Sequence, residues 1–292
     1  MWVKDVAPID RLIAAPPSVW RDLAAALRAA EYDDRVLARA EAIAPGQVDH
    51  LRLPLARWWL ERQPDGAAAL ALLFSYHGGL GIARARELLG ARLVAALGDA
   101  GVLVESGGEV WSAMRLLPIE GIWILSDHLA QQGDPAMGPG ATTLRLAHWM
   151  GEVSGERVLD VGCGAGSLAL VAAKRGARAT GVDISERAIA LTKINACLNG
   201  LEVEARAGDL FAPVAGESFD RIVAQPPFVI RSSEVEALTF LHGGDNGDEL
   251  TMRIFAELAP SLAPGGRALV LFQAPVRADH PLLERVSSIT AP

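Results

Sequence analysis

Along the first 65 residues, apolar positions recur with a helical period. Leu23, Ala26, Leu27 and Ala30 follow the i, i+3, i+4, i+7 pattern after Pro16-Pro17-Ser18, so a helix is predicted there with Ser18 as its N-cap. Trp20, Trp58 and Trp59 are expected in the core. Between 66 and 126 the pattern changes. Helices are predicted at Gly66–Tyr76, Ile82–Leu89 and Ala91–Leu97, and the uncharged run Ala67–His77 reads as buried. Strands are predicted at Val102–Glu105 and Val110–Leu116 around the turn Ser106-Gly107-Gly108, with a further strand at Gly121–Leu125. Three helices and a glycine-turned hairpin outline a winged-helix-like unit.

Gln131–Pro139 holds Gly133, Pro135, Gly138 and Pro139, which places a boundary near 130: an N-terminal domain over 1–130 and a second over 131–292. In the second part apolar strands alternate with helices. Strands are predicted at Arg157–Val161, Ala179–Val182, Glu202–Arg206, Asp220–Ala224 and Arg267–Phe272, with helices near 166–175, 185–199 and 248–262. That alternation demands an α/β fold, a doubly wound, mostly parallel Rossmann-like sheet.

The chemistry concentrates at the ends of these strands. Asp160-Val161-Gly162-Cys163-Gly164-Ala165-Gly166 runs from an apolar strand through a glycine turn into a helix at Ser167. Glycines let a ligand pass close to the main chain, and the helix N-terminus offers amide donors. Ser167 stands where a dinucleotide fingerprint has its third glycine, and Asp160 would repel a pyrophosphate, so a nicotinamide-cofactor oxidoreductase is disfavoured. Asp160 suits a ligand with an ammonium end. Asp183 ends the second strand, where a carboxylate can accept from two ribose hydroxyls, and Ile184 can cover an adenine face. Asp209 follows the third strand, positioned for an adenine amino group, with Leu210 as an apolar contact.

This array resembles the class I S-adenosylmethionine (SAM)-dependent methyltransferases over roughly residues 137–275. The resemblance implies that Asp160, Gly162, Cys163, Gly164 and Gly166 cradle the methionine part of SAM, that Asp183 and Ile184 hold ribose and adenine, and that Asp209 and Leu210 read the base. Met137–Thr143 looks like the lead-in that closes over the methionine end, with Thr143 beside the cofactor. The fourth strand ends in Ala224-Gln225-Pro226-Pro227-Phe228. This looks like the motif of methyltransferases acting on planar nitrogens. The Gln225 side-chain oxygen and the Pro226 carbonyl then accept two N–H bonds, Phe228 stacks on the planar group, and Gln225 also borders the cofactor. The family usually has Asn at that place, so the longer Gln225 shifts the acceptor by about 1 Å. His242, Asp245 and Arg231 in the following loop are candidate acceptor contacts, with His242 as a base should the acceptor be a hydroxyl.

Charge then enters. The formal net charge of the 292 residues is -8, and no basic stripe stands out. An acidic total starts at a disadvantage for binding a phosphate backbone, so a small-molecule acceptor is expected, with nucleic acid disfavoured. Methylation of an RNA base or a protein glutamine is the alternative. A SAM-sensing winged-helix regulator is a third reading. Hydrophobic residues make up 51% and charged residues 21%, a globular balance without a membrane partner. Cys163 and Cys197 do not form a metal or disulfide framework; no metal is expected, and the chain reads as cytoplasmic. Twenty residues follow Phe272, so C-terminal strands are expected to be short or missing, leaving a fifth-strand edge that invites a homodimer.

Overall fold

The computed structural model describes residues 6–43, 45, 49–128, 135–230, 242–274 and 281–290. The chain forms two compact units, Met1–Gly138 with Ile194–Leu201, and Pro139–Lys193 with Glu202–Pro292.

The first unit opens with helices α1 (Ile9–Ala14), α2 (Pro17–Ala29), α3 (Asp34–Glu41) and α4 (Asp49–Leu60). The expected cap of α2 is corrected. Pro16 is the N-cap and Pro17 the first helical residue, because a proline has no amide hydrogen to satisfy at that position. Trp20 is buried as expected, Trp59 is half-buried, and Trp58 is 54% exposed with the Arg62 guanidinium 4.4 Å over its ring. Then come α5 (Gly66–Phe74), β1 (Leu80–Gly81), α6 (Ile82–Leu89), α7 (Ala91–Asp99), β2 (Leu103–Ser106) and β3 (Glu109–Ser112). Every residue of α5 from Ala67 onward is buried, as its uncharged run predicts. The β2–β3 hairpin turns on Gly107 and Gly108, both at positive φ, and β1 adds a third strand in the order β1-β3-β2.

One predicted strand divides. Val110–Leu116 is two strands, β3 and β4 (Arg115–Ile119), and β4 pairs with β5 (Ile122–Ser126) in a separate hairpin. The break has a local cause: the Ser112 hydroxyl donates to the Met114 carbonyl at 2.6 Å and accepts from its amide at 3.3 Å, turning the chain where the apolar run continues. The edge of β5 is covered by side chains. Asn195 accepts from Leu125 N–H and donates to its carbonyl, both at 2.8 Å, and Asn199 does the same for Trp123 at 2.8 and 2.7 Å. Two amides one helical turn apart thus stand in for a neighbouring strand.

The second unit holds α8 (Ala141–Met150), β6 (Arg157–Val161), α9 (Ser167–Lys174), β7 (Arg178–Asp183), α10 (Glu186–Asn199), β8 (Val203–Ala207), β9 (Phe219–Ala224), β10 (Val229–Ile230), β11 (His242–Gly244), α11 (Glu249–Leu258), β12 (Leu262–Val270) and α12 (Leu282–Thr290). The final turns of α10 are counted with the first unit. The strands β12-β9-β6-β7-β8 form a five-stranded sheet whose pairs are all parallel. The order reverses on either side of β6, which makes its carboxyl end the topological switch point where ligands bind in such sheets. Leu159, Val161, Val182, Phe219, Ile222 and Ala224 join Phe211, Val214 and Ile254 in the core. Among the described residues no helix is long and apolar enough to cross a membrane.

Candidate functional site

The sheet register assembles the site. Val161 pairs with Val182 and with Ala224, so Gly162 and Gln225 are the first residues beyond one level of adjacent strands. Asp183 pairs with Ala207, two residues before Asp209. Parallel pairing thus gathers the glycine turn, Asp183, Asp209 and the Pro-Pro-Phe segment at one edge.

Gly162, Gly164 and Gly166 all adopt positive φ, and Gly166 is the left-handed N-cap of α9. A Cβ on Gly166 would lie 2.7 Å from the Thr192 side chain, whereas a Cβ on Gly162 would meet nothing within 4 Å. The turn therefore packs below and opens above. Its amides are not the free donors expected. Gly162 and Cys163 both donate to the Val182 carbonyl, Gly164 to Asp183, Gly166 to Cys163, and Ala169 to Asp160. Amides committed to the protein make no anion cradle, which suits a zwitterionic ligand better than a pyrophosphate.

The three acids do not play equal parts. Asp160 is 2% exposed, and its Oδ2 accepts from Ala169 N–H at 3.0 Å. Burial pushes its carboxyl up to about 7; the Ala169 amide opposes that rise and the Asp183 charge adds to it. Through that bond Asp160 ties the turn to the third residue of α9. Asp183 is half-buried; its Oδ2 accepts from Gly164 N–H at 2.8 Å and its Oδ1 from Ser185 N–H at 2.9 Å. Ile184 beside it is 60% exposed, an apolar face turned outward. Asp209 is exposed, with the Arg253 guanidinium 2.8 Å from Oδ2. Leu210 takes φ +46, uncommon for a leucine, and leans on the core cluster.

Gln225 Oε1 lies 3.4 Å from the Thr143 hydroxyl, which in turn accepts from Gly140 N–H at 3.2 Å. Pro226 is buried and Phe228 half-buried. Sequence reasoning missed what backs this segment. A Cβ on Gly243 would lie 2.3 Å from the Gly247 carbonyl oxygen and 2.5 Å from that of Pro227, and one on Gly247 would lie 2.8 Å from that of Phe228. The Gly243–Gly247 loop therefore carries glycines because main chain passes main chain there. It also missed Thr192, fully buried, whose hydroxyl donates to the Gly164 carbonyl at 3.1 Å, and Arg253; neither stands in a glycine turn or at a strand end. His242 lies in β11, but its side chain and Arg231 fall outside the described residues. Among the described residues no cluster of His, Cys, Asp and Glu is arranged to hold a metal.

Residues 140–291 match the family model described as the methyltransferase small domain. A Methanocaldococcus jannaschii protein provisionally named a protein N5-glutamine methyltransferase is 33% identical over 138 residues, covering 46% of this chain and 70% of that one. The release factor glutamine methyltransferase of Deinococcus radiodurans is 37% identical over 124 residues, 39% of this chain and 44% of that one. The ribosomal RNA small subunit methyltransferase C of Chromohalobacter salexigens is 37% identical over 125 residues, 43% of this chain and 34% of that one. The chain thus spans less than half the length of the last two. These relatives overturn the expected small-molecule acceptor with nucleic acid disfavoured, since those named act on protein glutamine or ribosomal RNA, both macromolecular. Net charge misled because it describes the whole surface, not the pocket. With the family model matched over more than half its length, the chain belongs to the methyltransferase small domain family, SAM-dependent enzymes.

Proposed function

We propose that this methyltransferase places the methyl group on the side-chain nitrogen of a glutamine in a protein. One observation carries the reading: the level register of β6 and β9 sets the glycine turn and Gln225-Pro226-Pro227-Phe228 side by side as the first residues past Val161 and Ala224. The open space above Gly162, the two accepting oxygens of Asp183 and the outward face of Ile184 fit SAM, and those residues with Gly164 and Asp209 are proposed to hold it. Bound SAM supplies an activated sulfonium methyl, so the chain contributes alignment rather than strong acid–base chemistry. Gln225 Oε1 and the Pro226 carbonyl accept the two N–H bonds of a carboxamide, and Phe228 packs on its plane. Accepting both hydrogens turns the nitrogen's remaining lobe toward the methyl group. The division at residue 130 into a winged-helix-like front and a methyltransferase part is itself part of the proposal.

The glutamine reading is supported by the relative with 70% coverage. A second reading, an exocyclic amine of a ribosomal RNA base, is supported by the 37% identity to a ribosomal RNA methyltransferase; the same two carbonyls and ring suit both planar groups. Incubation with trideuteromethyl SAM and separated ribosomal-protein, translation-factor and ribosomal-RNA fractions tests the pair. Label in protein is the expected result, label confined to RNA selects the second reading, and label in neither contradicts both.

A further inference from the structure

The family's usual Asn is replaced here by Gln225, whose extra methylene gives the amide another torsion to wander over. A carboxamide is also two-faced. With Oε1 toward the acceptor it receives an N–H; with Nε2 there it opposes hydrogen to hydrogen. Something must choose the face, and a flip is set by neighbours whose own polarity is fixed.

The structure contains such a neighbour. Gly140 N–H is a donor and nothing else, and it donates to Thr143 Oγ1 at 3.2 Å. The hydroxyl's own proton then needs an acceptor, because Thr143 is only 8% exposed and a buried unpaired donor costs about 1–3 kcal/mol. Gln225 Oε1, 3.4 Å away, is that acceptor. Were the amide reversed, Nε2 would face the hydroxyl and its proton would lose its partner. One main-chain donor at the start of α8 thereby fixes the polarity of the acceptor site through one hydroxyl. Oε1 keeps its second lone pair for the substrate.

We infer that Thr143 is a positioning residue that orients the Gln225 carboxamide, oxygen toward the acceptor, so that the site takes groups that donate a hydrogen bond to it. The inference rests on the reading of Gln225 as the acceptor-binding amide. It assigns Thr143 a duty distinct from contacting the methionine end of SAM, and it explains how a longer side chain serves where Asn is usual: Thr143 removes the freedom the methylene adds.

Two readouts separate this inference from the reading beneath it. The first needs no acceptor: the 15N order parameter of the Gln225 side-chain amide in the full chain. It is expected to drop in Thr143→Val, which keeps the shape and removes the hydroxyl, and to recover in Thr143→Ser. An unchanged value in Thr143→Val overturns the inference whatever the substrate is. The second uses a pool of glutamine-centred peptides and saturating trideuteromethyl SAM. Thr143→Val is expected to lower the single-turnover rate at least tenfold with the SAM Kd within threefold, and Thr143→Ser to restore most of the rate. In a Gln225→Ala background, Thr143→Val should cost nothing further. A Kd that rises as steeply as the rate falls makes Thr143 a cofactor contact, and additive losses make it independent of Gln225; either overturns the inference. A wild-type chain that methylates no peptide contradicts the glutamine reading and leaves the amide measurement to decide this one.

Discussion

At the scale of single residues, the acids at the strand ends are proposed to take different roles, structural for Asp160 and cofactor-binding for Asp183. Asp160 is 2% exposed and bonded to Ala169, whereas Asp183 is half-buried, its two oxygens accepting from Gly164 and Ser185 at the carboxyl edge of the sheet. Asp183→Ala should therefore raise the SAM Kd at least tenfold, in line with the loss of charge-assisted hydrogen bonds of about 1.5–3 kcal/mol. Asp160→Asn, whose amide oxygen still accepts from Ala169, should leave the Kd within threefold. Isothermal titration of both variants checks the contrast; equal losses would restore Asp160 as a ligand contact. The strand-end positions of all three acids were legible because a parallel sheet puts its ligands at that edge. Which carboxylate the protein consumes for itself was not. That depends on where the first turn of α9 and Arg253 fall in space, and Arg253 lies 44 residues from Asp209 along the chain.

At the scale of elements, the strands of the second unit were readable to within a residue or so at β6, β7, β8 and β9, since buried parallel strands are short apolar runs bounded by turns. β12 was displaced: it begins at Leu262 rather than Arg267, with a register shift between them, because Pro264-Gly265-Gly266 reads locally as a turn. The hairpin β4–β5 was hidden for the opposite reason, an apolar run that masks the Ser112 turn. The Gly243–Gly247 loop is the element whose purpose only three dimensions disclose. Gly243→Ala would drive a Cβ into the Pro227 and Gly247 carbonyls and displace the segment that receives the acceptor. Methyl transfer should fall at least tenfold while the SAM Kd stays within threefold, and a variant with full single-turnover activity would show that this loop does not brace the Pro-Pro-Phe segment.

At the scale of the whole molecule, acid stability has an identifiable source in the first unit. The rings of His77 and His128 stand 3.9 Å apart, edge to face. Burial lowers both, His77 to about 3, with the His128 and Arg115 charges adding to the effect, and His128 to about 4, with Arg115 adding. Unfolded imidazoles titrate near 6.5, so between that value and about 4 the unfolded chain binds more protons than the folded one. Their contribution is complete above pH 6.5 and is lost as pH falls, by at most about 1.4 kcal/mol per pH unit for each ring. Asp160 works in the opposite direction between about 4 and 7, since its folded form holds a proton that the unfolded chain releases. Urea midpoints taken from pH 7 to pH 5 should decline more steeply in the wild type than in His128→Gln. Parallel slopes would show that the histidine pair is not the source. Net charge, also a whole-molecule property, bears on encounter and solubility and did not disclose the acceptor.

The most direct test is fragment-ion mass spectrometry of an acceptor protein methylated with trideuteromethyl SAM. The heavy methyl is predicted on a glutamine side-chain nitrogen, and Gln225→Ala is predicted to lower its yield at least tenfold without abolishing it. A heavy methyl on a hydroxyl or carboxyl oxygen, or undiminished labelling by the Gln225→Ala variant, would contradict the account.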